Sequence, residues 1–335
     1  MVSIAGIGQH EHDLLGPWMT DDNDVRQRTI PHQPRSGGCP VTLTDEQLAQ
    51  YETDGAVTVE TPFTSAELDR AEAAWDRIRQ NGTPPYEDPD YVDVMQHPFF
   101  EELARQVLRA NGVHLWWGLA PHERAPTPSP RDDGKTQWAN GCHTDIQATW
   151  QDFTATPRRM RAELWFWLND VPEHRGAMRI LPGSHRPIME YWSRVLTPEH
   201  KKMLPRVHGL RPPPVSERAP AYPEHVPDLV DVPWIEHEPI PAVARRGQVL
   251  ILCSSGLHSA WQNEDDVPRK AMGTAWIAQG VNCGLPGNQR DGVMDFFPKL
   301  RAKLRPDRAH IIPEDFDWLF QSDYEPKWPE TFLET

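Results

Sequence analysis

Two short pieces of this chain, His143-Thr144-Asp145 and a distant His258, share one partner most readily in a fold built of strands. On an extended strand residues i and i+2 point to the same side, so His143 and Asp145 face one way while Thr144 faces the other; a helix would turn them apart. His143 is the only one of the fifteen histidines with Asp or Glu two positions later. His258 follows the run 247–253 (Gly-Gln-Val-Leu-Ile-Leu-Cys), which reads as a buried strand bounded by turn residues. Two imidazoles and one carboxylate form the ligand set of a facial triad, which holds Fe(II) on one face and leaves the opposite positions open. Arg269 opens the next strand-like run, 271–278, with a planar guanidinium fork suited to a carboxylate. Taken singly, His258 reads equally as a hydrogen-bonded core histidine and Arg269 as a surface charge. Their joint occurrence, in this order and after suitable strands, favours a metal site.

The rest of the pattern is consistent with a mainly β domain flanked by helices. Thr44 and Gln47 form a capping box ahead of Leu48 and Tyr51, and Gly55 ends that helix. Thr64 and Glu67 open a second, with Leu68, Ala71, Trp75 and Ile78 at helical spacing. Pro98 opens a third, carrying Phe100, Leu103 and Val107, with Gly112 as its expected stop. These helices should buttress one outer face of a barrel. Strands dominate from Val113. In 161–170 the even positions Ala162, Leu164, Phe166 and Leu168 make an apolar face, and the odd positions Arg161, Glu163, Trp165 and Trp167 an amphipathic one. The second face either lines a polar cavity or, through its tryptophans, caps a sandwich surface. Arg158, Arg159 and Arg161 read as a solvated strand entry.

Three segments fall outside this pattern. Residues 1–41 form a polar arm whose three histidines lie in no strand context. Residues 205–241 carry ten prolines and few periodic apolar positions, so an irregular insertion placed to act as a lid is expected there. Residues 120–138, also rich in proline, are expected to form the opposite wall. Trp116, Trp117, Trp138 and Trp150 then fall near the mouth. The tail reads as a helix over 295–304 followed by an aromatic stretch, 316–320, that packs back on the barrel.

The chain resembles the phytanoyl-CoA dioxygenase family of non-haem iron, 2-oxoglutarate-dependent oxygenases. The resemblance rests on Cys142-His143-Thr144-Asp145, on Gly176-Ala177-Met178-Arg179-Ile180-Leu181-Pro182-Gly183-Ser184-His185-Arg186, and on Gly256-Leu257-His258-Ser259-Ala260-Trp261-Gln262-Asn263 followed by Arg269. The middle segment is the most specific, and the likeness spans about residues 42–280. It implies that His143, Asp145 and His258 bind iron, that Arg269 binds the distal carboxylate of 2-oxoglutarate, and that Trp165 lines the co-substrate pocket. Thr144 stands where many members have Gln, and Ala260 where some have a hydroxyl; neither touches the metal set. The implied fold is a double-stranded β-helix, a jelly-roll or cupin-like barrel, as a single catalytic domain over 42–335. The implied reaction consumes molecular oxygen and 2-oxoglutarate and oxidises a small molecule, releasing succinate and carbon dioxide. A cupin-like metal-binding module, or an isomerase without oxygenase activity, is the alternative, and Arg269 argues against it.

Composition limits the partners. A net charge of −15 lacks the basic footprint of a nucleic-acid or anionic-membrane binder, so a small-molecule substrate is expected, with no nucleic acid and no membrane. Cys39, Cys142, Cys253 and Cys283 show no C-x-x-C spacing and are too few to staple a chain of this size. That fits a reducing, cytoplasmic setting. No run approaches the roughly 20 apolar residues of a membrane span.

Overall fold

Five antiparallel strands form the wall on which the rest is built. The computed structural model describes residues 43–127, 138, 141–144, 161–186, 188, 238–279 and 295–314. Its larger sheet has the order β1-β6-β3-β8-β2, from β1 (Ala56–Glu60), β6 (Gln248–Cys253), β3 (Arg161–Trp167), β8 (Arg269–Ala278) and β2 (Val113–Arg124). A three-stranded sheet has the order β5-β4-β7, from β5 (Ile240–Ala242), β4 (Met178–Ile180) and β7 (His258–Ser259). Every pairing within the two sheets is antiparallel.

Alternation along the strands sorts side chains into two cores, as the period of two requires. Leu164 and Phe166 of β3, with Val249 and Ile251 of β6, join the helices in one core. Trp165 and Trp167, with Leu250, Leu252 and Ala271, meet Met178 and Ile180 of the small sheet in the other. The larger sheet therefore carries helices on its outer face and packs its inner face against the smaller sheet. Trp167 is fully buried between the sheets and is not a surface cap.

The helices form where their caps direct. Thr44 and Gln47 close the expected capping box of α1 (Asp45–Asp54), and Gly55 terminates it at φ 77°. A Cβ at Gly55 would come within 2.6 Å of His185 Nδ1, so both backbone and packing require glycine there. Thr64 and Glu67 cap α2 (Ser65–Asn81), which buries Ala71, Ala74, Trp75 and Ile78. The indole of Trp75 also donates to the Ala271 carbonyl at 3.2 Å, fastening α2 to β8.

Several expectations are corrected. A further helix, α3 (Pro89–Met95), precedes α4 (Pro98–Leu108). At seven residues it is too short to show helical periodicity, although Asp88 caps it and Pro89 takes its first position. The helix opened by Pro98 ends at Arg109, in the left-handed region at φ 48°, before reaching Gly112. Helix 295–304 stops at 301, because its last amides tighten onto carbonyls three residues back, Leu304 N to Arg301 O among them, ahead of Pro306. Trp116 is buried in the core shared with the helices and does not line a mouth. The end of the 205–241 insertion is not irregular, since Ile240 and Pro241 belong to β5. Residues 205–237 of that insertion, Trp150, the arm 1–41 and the aromatic stretch 316–320 lie outside the described residues.

Candidate active site

The two sequence-predicted histidines meet in one backbone bridge. His143 N donates to His258 O at 2.8 Å, and His258 N donates to His143 O at 3.0 Å. Residues facing each other across an antiparallel pair project to the same side. The ring centroids are accordingly 4.5 Å apart, with the planes inclined at 53°. His143 makes this single bridge rather than lying in a regular strand. Its partner β7 is only two residues long, and just before His143 the Cys142 amide donates to Trp138 O.

Both imidazoles are held in the same way. His143 Nδ1 lies 2.9 Å from the Gly141 carbonyl, and His258 Nδ1 lies 3.0 Å from the Gly256 carbonyl. A carbonyl can only accept, so each Nδ1 carries a proton, and in the neutral ring that is the tautomer with its lone pair at Nε2, which a metal ligand needs. Burial pushes the neighbouring Cys142 thiol up to about 12, so it stays protonated and packs as an apolar group. Among the described residues no third His, Cys, Asp or Glu completes a metal-binding group with the pair. Asp145, the sequence candidate for that place, lies outside the described residues; Thr144 is buried.

Arg269 opens β8 and is only 1 % exposed. It donates to the Gly176 carbonyl, and its guanidinium carbon lies 5.4 Å from the centroid of the Trp167 ring. Burial pulls its pKa down to about 10, and the positive charge of Arg124 adds to the effect. Arg124 faces Arg269 in the β2–β8 register and donates to the Trp261 carbonyl at 2.7 Å. Gly176 at φ 64° completes the cluster, since a Cβ there would approach Arg124 Cγ to 2.9 Å. Trp167 Nε1 is buried with no acceptor among the described residues. Two cations, one of them lying against the Trp167 ring, thus meet at one end of the inter-sheet space, a donor set that fits a carboxylate. Trp165, the predicted pocket residue, stacks on Trp167 at 6.4 Å and 18°. Ala271 and Gly273 stand opposite Trp167 and Trp165, and these small residues leave room for the indoles.

At the other end of the inner wall lies a buried ion pair. Arg161, read from sequence as solvated, has a side chain 8 % exposed and lies 3.7 Å from Glu163. Its Nε donates to Ser254 Oγ at 3.0 Å, and that hydroxyl donates to Glu163 at 3.2 Å. Arg161 shares the odd face of β3 with Trp165 and Trp167, so it points into the inter-sheet space and away from solvent.

Sequence reasoning missed the residues that hold the site in place. Buried Asn263 donates to the carbonyls of Arg124 and Val267, at 3.0 and 2.8 Å, and so ties the end of β2 to the turn before Arg269. Trp167 lies against the arginine, and its place on the odd face of β3 was the available signal. Arg124 gave no signal, because only the strand register places it beside Arg269.

Solved structures to which the chain is similar include SnoK, a non-haem α-ketoglutarate-dependent carbocyclase from nogalamycin biosynthesis (18 % identity, TM-score 0.49, 77 % of this chain and 94 % of that one). EctD from S. alaskensis in its apo form is similar at 12 % identity and a TM-score of 0.49, covering 78 % of this chain and 85 % of that one. AviO1 from Streptomyces viridochromogenes gives 13 % identity and a TM-score of 0.44, over 72 % and 98 % of the two chains. No curated protein sequence matches the chain. The sequence model of the phytanoyl-CoA dioxygenase (PhyH) family matches residues 82–271, more than half of the chain, and that span contains His143, Asp145, His258 and Arg269. The chain therefore belongs to the phytanoyl-CoA dioxygenase family, and with it to the non-haem iron, 2-oxoglutarate-dependent oxygenases.

Proposed function

We propose that this protein is an Fe(II)- and 2-oxoglutarate-dependent dioxygenase that hydroxylates, or otherwise oxidises, a small-molecule metabolite with release of succinate and carbon dioxide. The observation that carries this reading is the matched pair of imidazoles on one backbone bridge, each with Nδ1 tied to the carbonyl of the residue two positions earlier. His143, His258 and Asp145 would hold the iron, and Arg269 the distal carboxylate of 2-oxoglutarate. The chemistry supplied by iron and 2-oxoglutarate, when bound, is oxidative decarboxylation coupled to oxidation of a substrate carbon.

The chain's own groups do the positioning. Arg269 cannot lose its proton near neutrality, so it presents a permanent cation to the co-substrate and is itself relieved of an unfavourable burial. The stacked faces of Trp167 and Trp165 form an apolar wall beside it that excludes water. The two sheets are read as the halves of a double-stranded β-helix, with His143 adding a fourth position beside β7 in the smaller one. The unit is taken as one catalytic domain over 42–335, acting in the cytoplasm.

Anaerobic titration with Fe(II) and 2-oxoglutarate tests the site directly. A visible charge-transfer band should appear in the wild type and be absent from His258→Ala. A normal band in that variant would overturn the assignment. Substrate-dependent succinate formation across a metabolite screen then tests the reaction.

A further inference from the structure

The two histidines are braced by one device used twice. In each case the carbonyl that takes the Nδ1 proton belongs to the residue two positions earlier, and the N–H of that same peptide is held from the opposite side. For His143 the peptide is Gly141–Cys142: its carbonyl accepts from the ring, and Cys142 N donates to Trp138 O at 2.9 Å. For His258 the peptide is Gly256–Leu257: its carbonyl accepts from the ring, and Leu257 N donates to Ser184 Oγ at 2.8 Å. The first brace is backbone to backbone. The second ends on a side chain, so a substitution can remove it.

We propose that Ser184 is a positioning residue for the iron ligand His258, acting through the Gly256–Leu257 peptide plane. This inference rests on the metal-binding role of His258 proposed above. A peptide unit is rigid, so fixing its N–H fixes the direction of its carbonyl on the other side. That carbonyl sets the tautomer and tilt of the His258 ring, and polarisation along the chain from hydroxyl through peptide to imidazole strengthens each bond. Among the described residues no backbone carbonyl accepts from Leu257 N, since the turn ahead of it, closed by Gly256 N to Cys253 O, engages a different amide.

Ser184 is itself firmly placed. It is 1 % exposed, and its N–H donates to Leu181 O at 3.3 Å. Leu181 N in turn donates to the Leu257 carbonyl at 2.9 Å, so the 181–184 turn holds both peptide planes that precede His258. On its far side the same turn is anchored to α1 and the turn that ends it. Gly183 N donates to Asp54 O at 2.9 Å, and the side chains of His185 and Arg186 both reach the Glu52 carbonyl. The Pro-Gly-Ser-His-Arg segment is therefore a bracket between the N-terminal helix and the metal-ligand loop.

The test compares Ser184→Ala, Ser184→Thr and Ser184→Val with the wild type by anaerobic Fe(II) titration. Thr keeps the acceptor and Val removes it at equal volume, so the pair separates hydrogen bonding from packing. Ser184→Ala and Ser184→Val should bind Fe(II) about tenfold or more weakly, while Ser184→Thr stays within about threefold. At saturating Fe(II), the charge-transfer band formed with 2-oxoglutarate should shift in Ala and Val and not in Thr, a change that lost stability alone would not produce. Equal Fe(II) affinity in Thr and Val would overturn the inference, whereas failure of the wild type to bind Fe(II) would instead overturn the proposed function. If a variant does not fold, hydrogen exchange at Leu257 in the wild type decides. Protection that rises on Fe(II) binding supports the coupling, and unchanged protection refutes it.

Discussion

Replacing Arg269 by Met should separate stability from function. The guanidinium is held at a pKa of about 10 in the fold, against an ordinary value of about 12.5 or more. At about 1.4 kcal/mol for each factor of ten, keeping the cation there costs the protein without co-substrate about 3 kcal/mol. The charged hydrogen bond to the Gly176 carbonyl returns about 1.5–3 kcal/mol, and the Trp167 face about 1 kcal/mol. These terms nearly cancel. Met is unbranched and fills a similar channel, so the variant should melt within a few degrees of the wild type. Addition of 2-oxoglutarate at about 100 times its Kd should stabilise the Fe(II)-loaded wild type by about 2.7 kcal/mol. The variant should show no such gain, because losing one partner of a buried charge pair costs about 3–5 kcal/mol, or two to three orders of magnitude in affinity. The difference between the two proteins should also be flat from about pH 6 to 9. The folded pKa lies below the unfolded one, so both states hold the proton there, and the cost is relieved only above about pH 10. Thermal melts with and without 2-oxoglutarate decide the matter. A loss of more than about 4 kcal/mol in the ligand-free variant would mean that the charge is already compensated inside the fold.

Other outcomes follow from the same geometry. His143→Ala and His258→Ala should each abolish Fe(II) binding while circular dichroism stays native; retained stoichiometric binding in either would remove it from the ligand set. Glu163→Ala should cost about 3–5 kcal/mol by stranding Arg161, and the double change Arg161→Met with Glu163→Leu should cost far less. Denaturant midpoints check this, and equal losses would show that the pair is not coupled. Gly176→Ala should lose about 1–3 kcal/mol of stability through its left-handed backbone and the contact with Arg124. Because Gly176 O also accepts from Arg269, the variant should weaken 2-oxoglutarate binding in calorimetry more than Fe(II) binding. If Asp145 fills an iron position as proposed, turnover in excess chloride should yield oxygenated product, and a chlorinated major product in mass spectra would exclude Asp145 as a ligand.

What was legible in the sequence was whatever a local rule fixes. Capping boxes at Thr44 and Thr64, alternation in 161–167 and the strand before His258 each depend on neighbours a few residues away, and the structure places them as expected. Arg269 was legible as the start of a strand, and only the fold gives it Gly176 and Trp167 as surroundings. The misreadings share one cause. Arg161 looked solvated because charge at a strand entry usually is, and burial became acceptable because Glu163, two residues on along the same face of β3, and Ser254, 93 residues away in sequence, together satisfy it. Arg109 took a helix stop that glycine at 112 seemed made for, since packing of Leu108 and Ala110 into the core fixed the turn earlier.

The Pro-Gly-Ser-His-Arg segment shows how pattern and mechanism differ. As a string it pointed to the family, yet nothing in it discloses a task, because Ser184, His185 and Arg186 act on backbone atoms whose side chains are irrelevant: the Leu257 amide and the Glu52 carbonyl. Side chains that bind backbone leave no complementary residue for a sequence reader to find. The proposed ligand set, in contrast, is spelled in side chains, which is why His143 and His258 could be picked out and the serine proposed to aim one of them could not. The groups that hold a metal ligand in register are thus best sought by following the peptide planes next to it, and at His258 that path leads within two hydrogen bonds to Ser184.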